Sequence, residues 1–117
     1  MFSQYENNDW YVPDAAAIAK LKAMQGLEMV IVHGTYCGDC LYTIPLVKNI
    51  LKVWPAPVTE CHVTPGQKAS QNDSMGLMKK YNITRVPTIV LLKDKKEVCR
   101  VVEAPNDTIE KDFAKVL

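Results

Sequence analysis

The chain has 117 residues, 48% of them hydrophobic and 23% charged, with a formal net charge of +1. This length suits one domain with a real hydrophobic core, and the near-neutral charge gives no electrostatic reason to expect nucleic acid or an anionic membrane as a partner. The longest apolar runs, 29–32 and 88–92, are too short to cross a bilayer, so we expect one domain over residues 1–117 that binds neither nucleic acid nor a membrane.

The first twelve residues are polar and aromatic, with only weak periodicity. We expect them to form a loosely attached arm. The chain starts with Met and has no basic start followed by an apolar stretch, a pattern that favours the cytoplasm over secretion. We further expect the chain to act as a monomer.

Helical and strand patterns alternate from residue 14 onward. Asp14 is placed to cap a helix that stops at Gly26, and a buried strand follows at 28–34. The next helix spans 41–54 and contains Pro45, where a missing hydrogen bond predicts a kink. The remaining predicted elements are a buried strand at 58–63, a short helix at 73–81, a hairpin of strands at 87–93 and 97–102, and a helix through 115 capped by Asn106.

The order of these elements predicts the fold. Early alternation of helices and strands requires parallel strands joined by crossovers, and the late hairpin adds an antiparallel edge. We therefore predict an α/β three-layer sandwich in which a central mixed sheet lies between helices.

The most informative motif is the run Cys37-Gly38-Asp39-Cys40, where a strand leads into a helix. At a helix N-terminus, free N–H groups and the macrodipole favour a thiolate, so Cys37 is predicted to attack a disulfide sulfur. Cys40, one turn into the helix and less exposed, can then attack the mixed disulfide and release the product. Gly38 keeps the approach to Cys37 open.

A zinc site is the alternative interpretation, because C-x-x-C is half of a common zinc motif. The other two cysteines, Cys61 and Cys99, are isolated in predicted strands, with no second C-x-x-C and no H-x₃₋₅-H pattern. We therefore favour dithiol redox chemistry without a metal or another cofactor. Cys61 and Cys99 are interpreted as small buried apolar side chains.

Three features together resemble the thioredoxin family: YCGDC on the strand-to-helix turn, a proline five residues after the second cysteine, and KKYNITRVPT. The resemblance covers nearly the whole chain except the N-terminal arm. It implies a thioredoxin-like fold and a thiol–disulfide oxidoreductase. Its implied partners are disulfide-containing proteins or small disulfides, with a reductase or a low-molecular-weight thiol as electron donor.

The resemblance also implies roles for individual residues. Cys37 matches the attacking cysteine and Cys40 the resolving one. Pro87 matches a cis-proline that faces the pair and leaves the backbone of Val86 free to pair with an extended substrate segment. Tyr36 replaces the family's usual tryptophan on a flat apolar contact surface.

Three residues are candidates for tuning the redox pair. Asp39 replaces the proline of the family's W-C-G-P-C motif and puts a negative charge between the sulfurs. His33 is either a tuning group or a hydrogen-bonded packing histidine. Arg85, two residues before Pro87, is either solvated or placed beside Asp39 or an acidic substrate. Ile31 stands where the family often buries an aspartate that assists deprotonation of the second cysteine.

Two further functions stay open from the sequence. The same fold could be a binding or redox-sensing module without turnover. A weaker possibility is a metal-binding protein that uses Cys37, Cys40 and His33.

Overall fold

The structure, a computed structural model that describes residues 2–63 and 76–117, is a mixed β-sheet flanked by helices. This confirms the predicted α/β sandwich. In chain order the elements are helix α1 (Ala15–Ala23), strand β1 (Leu27–His33), helix α2 (Gly38–Val53), strand β2 (Val58–His62), helix α3 (Leu77–Lys80), strand β3 (Thr88–Lys93), strand β4 (Lys96–Val102) and helix α4 (Ile109–Lys115).

The sheet has the strand order β2-β1-β3-β4. Strands β1 and β2 are parallel, and β3 is antiparallel to both of its neighbours. The parallel pair needs a crossover, which α2 supplies. The β3–β4 hairpin turns through Asp94 and Lys95, whose φ angles of 51° and 70° match the left-handed geometry of the tight turns that suit twisted strands.

Strand β1 is the centre of the core, since its alternate side chains face two separate hydrophobic clusters. Met29 and Ile31 pack with α1, α2 and α4, whereas Val30 and Val32 pack with α3. A strand covered on both faces needs apolar residues at nearly every position, and this run provides them.

Helix α2 starts earlier than the sequence pattern predicts. It begins at Gly38 rather than at residue 41, with Cys37 as its N-cap. The apolar periodicity only starts at Leu41. The pattern therefore misses the first turn, where Gly38 and Asp39 are not apolar. Pro45 lies inside the helix, as predicted, and it is buried.

The predicted cap of the last helix is wrong, and part of the predicted short helix lies outside the described residues. Helix α4 is capped by Thr108, whose hydroxyl accepts a hydrogen bond from the Lys111 N–H at 3.3 Å, and not by Asn106. The N–H groups of Asn106 and Asp107 are instead bonded to the carboxylate of Asp112, at 2.7 and 3.1 Å, which ties the bend before the helix to its first turns. The predicted helix at 73–81 is represented by α3, and its residues 73–75 lie outside the described ranges.

The prediction of a loosely attached N-terminal arm is wrong. The arm packs against α2 and α4, with Phe2 and Tyr5 only 2% and 3% exposed. The Lys48 ammonium of α2 donates to the Tyr5 carbonyl at 3.0 Å, and the Tyr11 hydroxyl donates to the Glu110 carboxylate of α4 at 2.6 Å. The aromatic residues of the arm fill separate places in the core, so they show no helical or strand period in the sequence.

Within the described ranges, no helix is both long and apolar enough to traverse a bilayer.

We predict that Phe2→Ala lowers the free energy of unfolding by about 3 kcal/mol, because it removes a fully buried aromatic side chain. Urea denaturation measures this change. The matched control is Trp10→Ala, in the same arm but 68% exposed, for which a change within about 0.5 kcal/mol is expected. Equally small changes for both variants would mean that the arm does not pack as described.

Candidate active site

The first cysteine of the pair lies at the entrance to α2. Cys37 is the N-cap of this helix, at the end that carries the free backbone N–H groups, and its side chain makes no capping hydrogen bond to them. Its side chain is half-buried, and its Sγ donates a hydrogen bond to the Val86 carbonyl at 3.5 Å. The Val86–Pro87 peptide bond is cis. The fold therefore brings Cys37, Val86 and Pro87 together, although they are far apart in the sequence.

The second cysteine lies below the first and is shielded from solvent. Cys40 is 0% exposed, and its Sγ accepts a hydrogen bond from the Gly34 N–H at 3.4 Å. Burial raises the pKa of the Cys40 thiol to about 12, with smaller contributions in the same direction from Cys37 and Asp39, while the Gly34 N–H opposes them. The two cysteines are thus chemically different: one is accessible, and the other stays protonated until a step of the reaction takes its proton.

The surface around Cys37 is open, with an exposed aromatic ring next to it in the chain. Tyr36 is 50% exposed. A Cβ atom placed on Gly38 would meet nothing within 4 Å, so the space beside the first turn of α2 is free for a substrate. A Cβ on Gly34 would lie 2.5 Å from the Tyr36 ring. Glycine at residue 34 therefore lets the Tyr36 ring lie across the backbone beside the cysteines.

His33 is a buried, hydrogen-bonded histidine. Its Nδ1 is 2.8 Å from the Tyr5 hydroxyl, and its Nε2 is 3.0 Å from a carboxylate oxygen of Glu60. Burial lowers the pKa of His33, and the hydrogen bond to Glu60 acts in the opposite direction. Both ring nitrogens face these two partners, so His33 does not form a ligand set with Cys37 and Cys40.

Arg85 forms an ion pair with a carboxylate other than that of Asp39. Its guanidinium pairs with the carboxylate of Glu103 at 3.4 Å, and both side chains are exposed. An exposed pair of this kind adds little to stability. The role of Arg85 beside Asp39 or an acidic substrate, rather than as a solvated loop residue, stays a prediction.

Cys61 and Cys99 lie on β2 and β4, at opposite edges of the sheet. Two strands separate them, so their Cα atoms are too far apart for a disulfide, which needs about 7 Å or less. Cys61 is buried, as predicted, whereas Cys99 is only half-buried. In residues 2–63 and 76–117, no three His, Cys, Asp or Glu side chains are grouped so that they could hold a metal ion.

Sequence reasoning missed two residues near this site, Tyr5 and Glu60. No sequence pattern marks Tyr5, because it belongs to the arm and its hydrogen-bond partner His33 is 28 residues away in the sequence. Glu60 could have been found from the sequence, because a carboxylate within a predicted buried strand is unusual. In the structure it lies opposite Ile31 in the register of β1 and β2.

Comparison with known proteins gives consistent relatives by sequence and by fold, although no protein-family model matches the chain. A thioredoxin from Chlamydia pneumoniae is 32% identical over 77 residues, covering 66% of this chain and 69% of the relative. An H-type thioredoxin from Oryza sativa subsp. indica is 27% identical over 96 residues, covering 80% and 73%. The structure of Fasciola hepatica thioredoxin matches with a TM-score of 0.58 and 25% identity, over 87% of this chain and 89% of that one. The resemblance inferred from the motifs is confirmed.

We predict that iodoacetamide labels Cys37 first in the reduced protein at about pH 8, while Cys40 is protected. The raised pKa of Cys40 means that its thiol is protonated at this pH, so little of the reactive thiolate is present. Mass spectrometry of the four cysteine peptides after short exposures gives the order. Cys99 is an internal control: burial raises the pKa of its thiol too, so it should also be labelled more slowly than Cys37. Labelling of Cys40 as fast as Cys37 at about pH 8 would contradict this asymmetry.

Proposed function

The chain belongs to the thioredoxin family and is a thiol–disulfide oxidoreductase, and we propose that Cys37 is its nucleophile and Cys40 its resolving cysteine. The observation that carries this assignment is the contrast between the two sulfurs. Cys37 is accessible at the N-terminus of α2, whereas Cys40 is fully buried one turn later. Only an accessible sulfur can meet a substrate disulfide, and a helix N-terminus stabilises the thiolate that attacks it.

The proposed reaction has two exchanges. The Cys37 thiolate attacks one sulfur of the substrate disulfide, whose other sulfur leaves as a thiolate. Cys40 then loses its proton and attacks the Cys37 sulfur, which forms the Cys37–Cys40 disulfide and releases the second substrate sulfur. Two electrons pass from the dithiol to the substrate. A reductase or a low-molecular-weight thiol returns the pair to the reduced state, and no step uses a bound cofactor.

We propose that the substrate binds across the surface formed by Tyr36, Gly38 and the Val86–Pro87 segment. The Val86 carbonyl lies 3.5 Å from the Cys37 sulfur, so an extended chain that pairs with this backbone would bring its disulfide beside Cys37. The exposed Tyr36 ring offers an apolar contact, and the open space at Gly38 leaves room for the substrate chain. Recognition through backbone pairing tolerates many side chains, which suits a protein that reduces disulfides in different polypeptides.

Asp39 is the proposed tuning residue. Its carboxylate is one of the groups that raise the pKa of Cys40, because a negative charge disfavours a thiolate beside it. A less stable thiolate makes the dithiol a stronger reductant. Asp39 therefore shifts the pair towards reducing its substrates rather than oxidising them.

We propose that the protein works as a monomer in a reducing compartment such as the cytoplasm. Cys61 and Cys99 lie too far apart to form a structural disulfide. A fold of this size that holds together without disulfides is typical of reducing compartments. Its substrates there would be disulfide-containing proteins or small disulfides.

We predict that Cys37→Ser abolishes insulin reduction with dithiothreitol, whereas Cys40→Ser accumulates a mixed disulfide between Cys37 and insulin. The first variant lacks the attacking sulfur, and the second lacks the one that resolves the intermediate. Cys99→Ser is the matched control and should retain wild-type turnover. Turnover by the Cys37→Ser protein, or trapping through any other cysteine, would contradict the assignment.

A further inference from the structure

Three polar side chains form a continuous hydrogen-bonded chain beside the cysteine pair. The Tyr5 hydroxyl is 2.8 Å from Nδ1 of His33, and Nε2 of His33 is 3.0 Å from the Glu60 carboxylate. A carboxylate can only accept, so Nε2 carries the imidazole proton and donates to Glu60. The unprotonated Nδ1 then accepts from the Tyr5 hydroxyl. The direction of every hydrogen bond in this chain is thereby fixed.

This chain lies on the same side of the sheet as Cys40. His33 alternates with Met29 and Ile31 along β1, and these two pack in the core cluster that includes Cys40. Tyr5 belongs to the same cluster. His33 is followed by Gly34, whose N–H is bonded to the Cys40 sulfur. Burial is the main cause that raises the pKa of Tyr5, and charge interactions with Cys40 and then Cys37 add to it.

Cys40 needs a proton acceptor within the protein. Its thiol must lose a proton to attack the mixed disulfide, because the thiolate is the nucleophile. Yet its side chain is 0% exposed, and burial keeps its pKa near 12. On the face of the sheet that covers Cys40, β1 carries no carboxylate. Ile31, the β1 residue paired with Glu60 of β2, is apolar. The Tyr5–His33–Glu60 chain brings a carboxylate to this face from β2 instead.

We propose that Tyr5, His33 and Glu60 form a relay that accepts the Cys40 proton while Cys40 attacks the mixed disulfide. This inference rests on the proposed roles of Cys37 and Cys40. Tyr5 lies in the same core cluster as Cys40 and interacts with its charge, although in the resting protein its hydroxyl is bonded to His33 and the Cys40 sulfur to the Gly34 N–H. In the relay the Cys40 proton passes to the Tyr5 oxygen as the Tyr5 proton moves to Nδ1 of His33, and Glu60 balances the imidazolium charge. The bond between Cys37 and the substrate breaks, the Cys37–Cys40 bond forms, and the substrate sulfur leaves with the electron pair.

The surroundings of His33 suit a temporary acceptor. From the arm, Phe2 and Tyr5 pack against its ring, and from β2 the His62 ring stacks on it at 5.0 Å beside Glu60. Burial lowers the pKa of His33, so its ring is neutral near pH 7 and can take up a proton. At a pH below the lowered value the ring is already protonated, so the relay stops accepting. The Glu60 side chain is 34% exposed, which gives the proton a route to water.

The two exchanges can be timed separately with 5,5′-dithiobis(2-nitrobenzoate). Attack by Cys37 releases a first thionitrobenzoate, and attack by Cys40 on the mixed disulfide releases a second. Stopped-flow absorbance follows both in a background carrying Cys61→Ala and Cys99→Ala, so that only the pair reacts. Tyr5→Phe keeps the ring and removes the hydroxyl. We expect its first release to be unchanged and its second to be slower by a factor on the order of 10² near pH 7.

The pH profile separates a relay from a packing effect. In the parent protein the second release should be independent of pH once His33 is neutral. In Tyr5→Phe it should rise about tenfold per pH unit, because hydroxide must then take the proton. Glu60→Gln still accepts from His33 but cannot balance the imidazolium charge, so we expect it to slow the second release less than Tyr5→Phe. Tyr11→Phe is the matched control: it removes another tyrosine hydroxyl of the arm, one that donates to the Glu110 carboxylate away from His33, and it should change neither release.

An unchanged second release in Tyr5→Phe would overturn the relay. So would equal slowing in Tyr11→Phe, or slower release with an unaltered pH profile, because both indicate packing alone. Loss of the first release in the background protein is a different result: it contradicts the role of Cys37 and hence the proposed function, and not the relay specifically.

Discussion

The Cys40 sulfur is fully buried, whereas Cys37, at the N-cap of the same helix, is partly exposed. In the proposed reaction this difference in exposure determines which sulfur attacks first. It arises because α2 begins at Gly38, so that one cysteine is the N-cap and the other points into the core. The N–H of Gly34 fixes the buried sulfur. If both sulfurs were exposed, either could attack a substrate; if both were buried, neither could meet one.

Burial of Cys40 creates a second requirement, a path for its proton, and the N-terminal arm is part of the answer. The arm covers the core face of β1 and places Tyr5 against His33. It is held there by Lys48 on α2, so the same helix that carries the cysteines also anchors the arm. The arm therefore contacts the end of β1 beside the cysteine pair. With the proposed relay, it is part of the active site.

The fold and the position of the cysteine pair were predictable because each has a local or motif-level signature. The alternation of helices and strands predicted the mixed sheet, and the spacing of the cysteines on a strand-to-helix turn predicted that Cys37 and Cys40 lie together at the start of α2. The relay was not predictable, since Tyr5 meets His33 only after the chain has folded and nothing in residues 2–12 marks the contact. The pairing of Arg85 with Glu103 and the cap at Thr108 likewise depend on which of several nearby polar groups is closest in space.

Each substrate disulfide that the protein reduces should leave one intramolecular disulfide, Cys37–Cys40. A single turnover tests it directly: reduced protein is mixed with a disulfide peptide, quenched in acid and mapped by mass spectrometry. We expect a Cys37–Cys40 bond in a 1:1 ratio with reduced peptide, while Cys61 and Cys99 stay thiols. Reduced peptide with no Cys37–Cys40 bond, or a bond that involves Cys61 or Cys99, would contradict it.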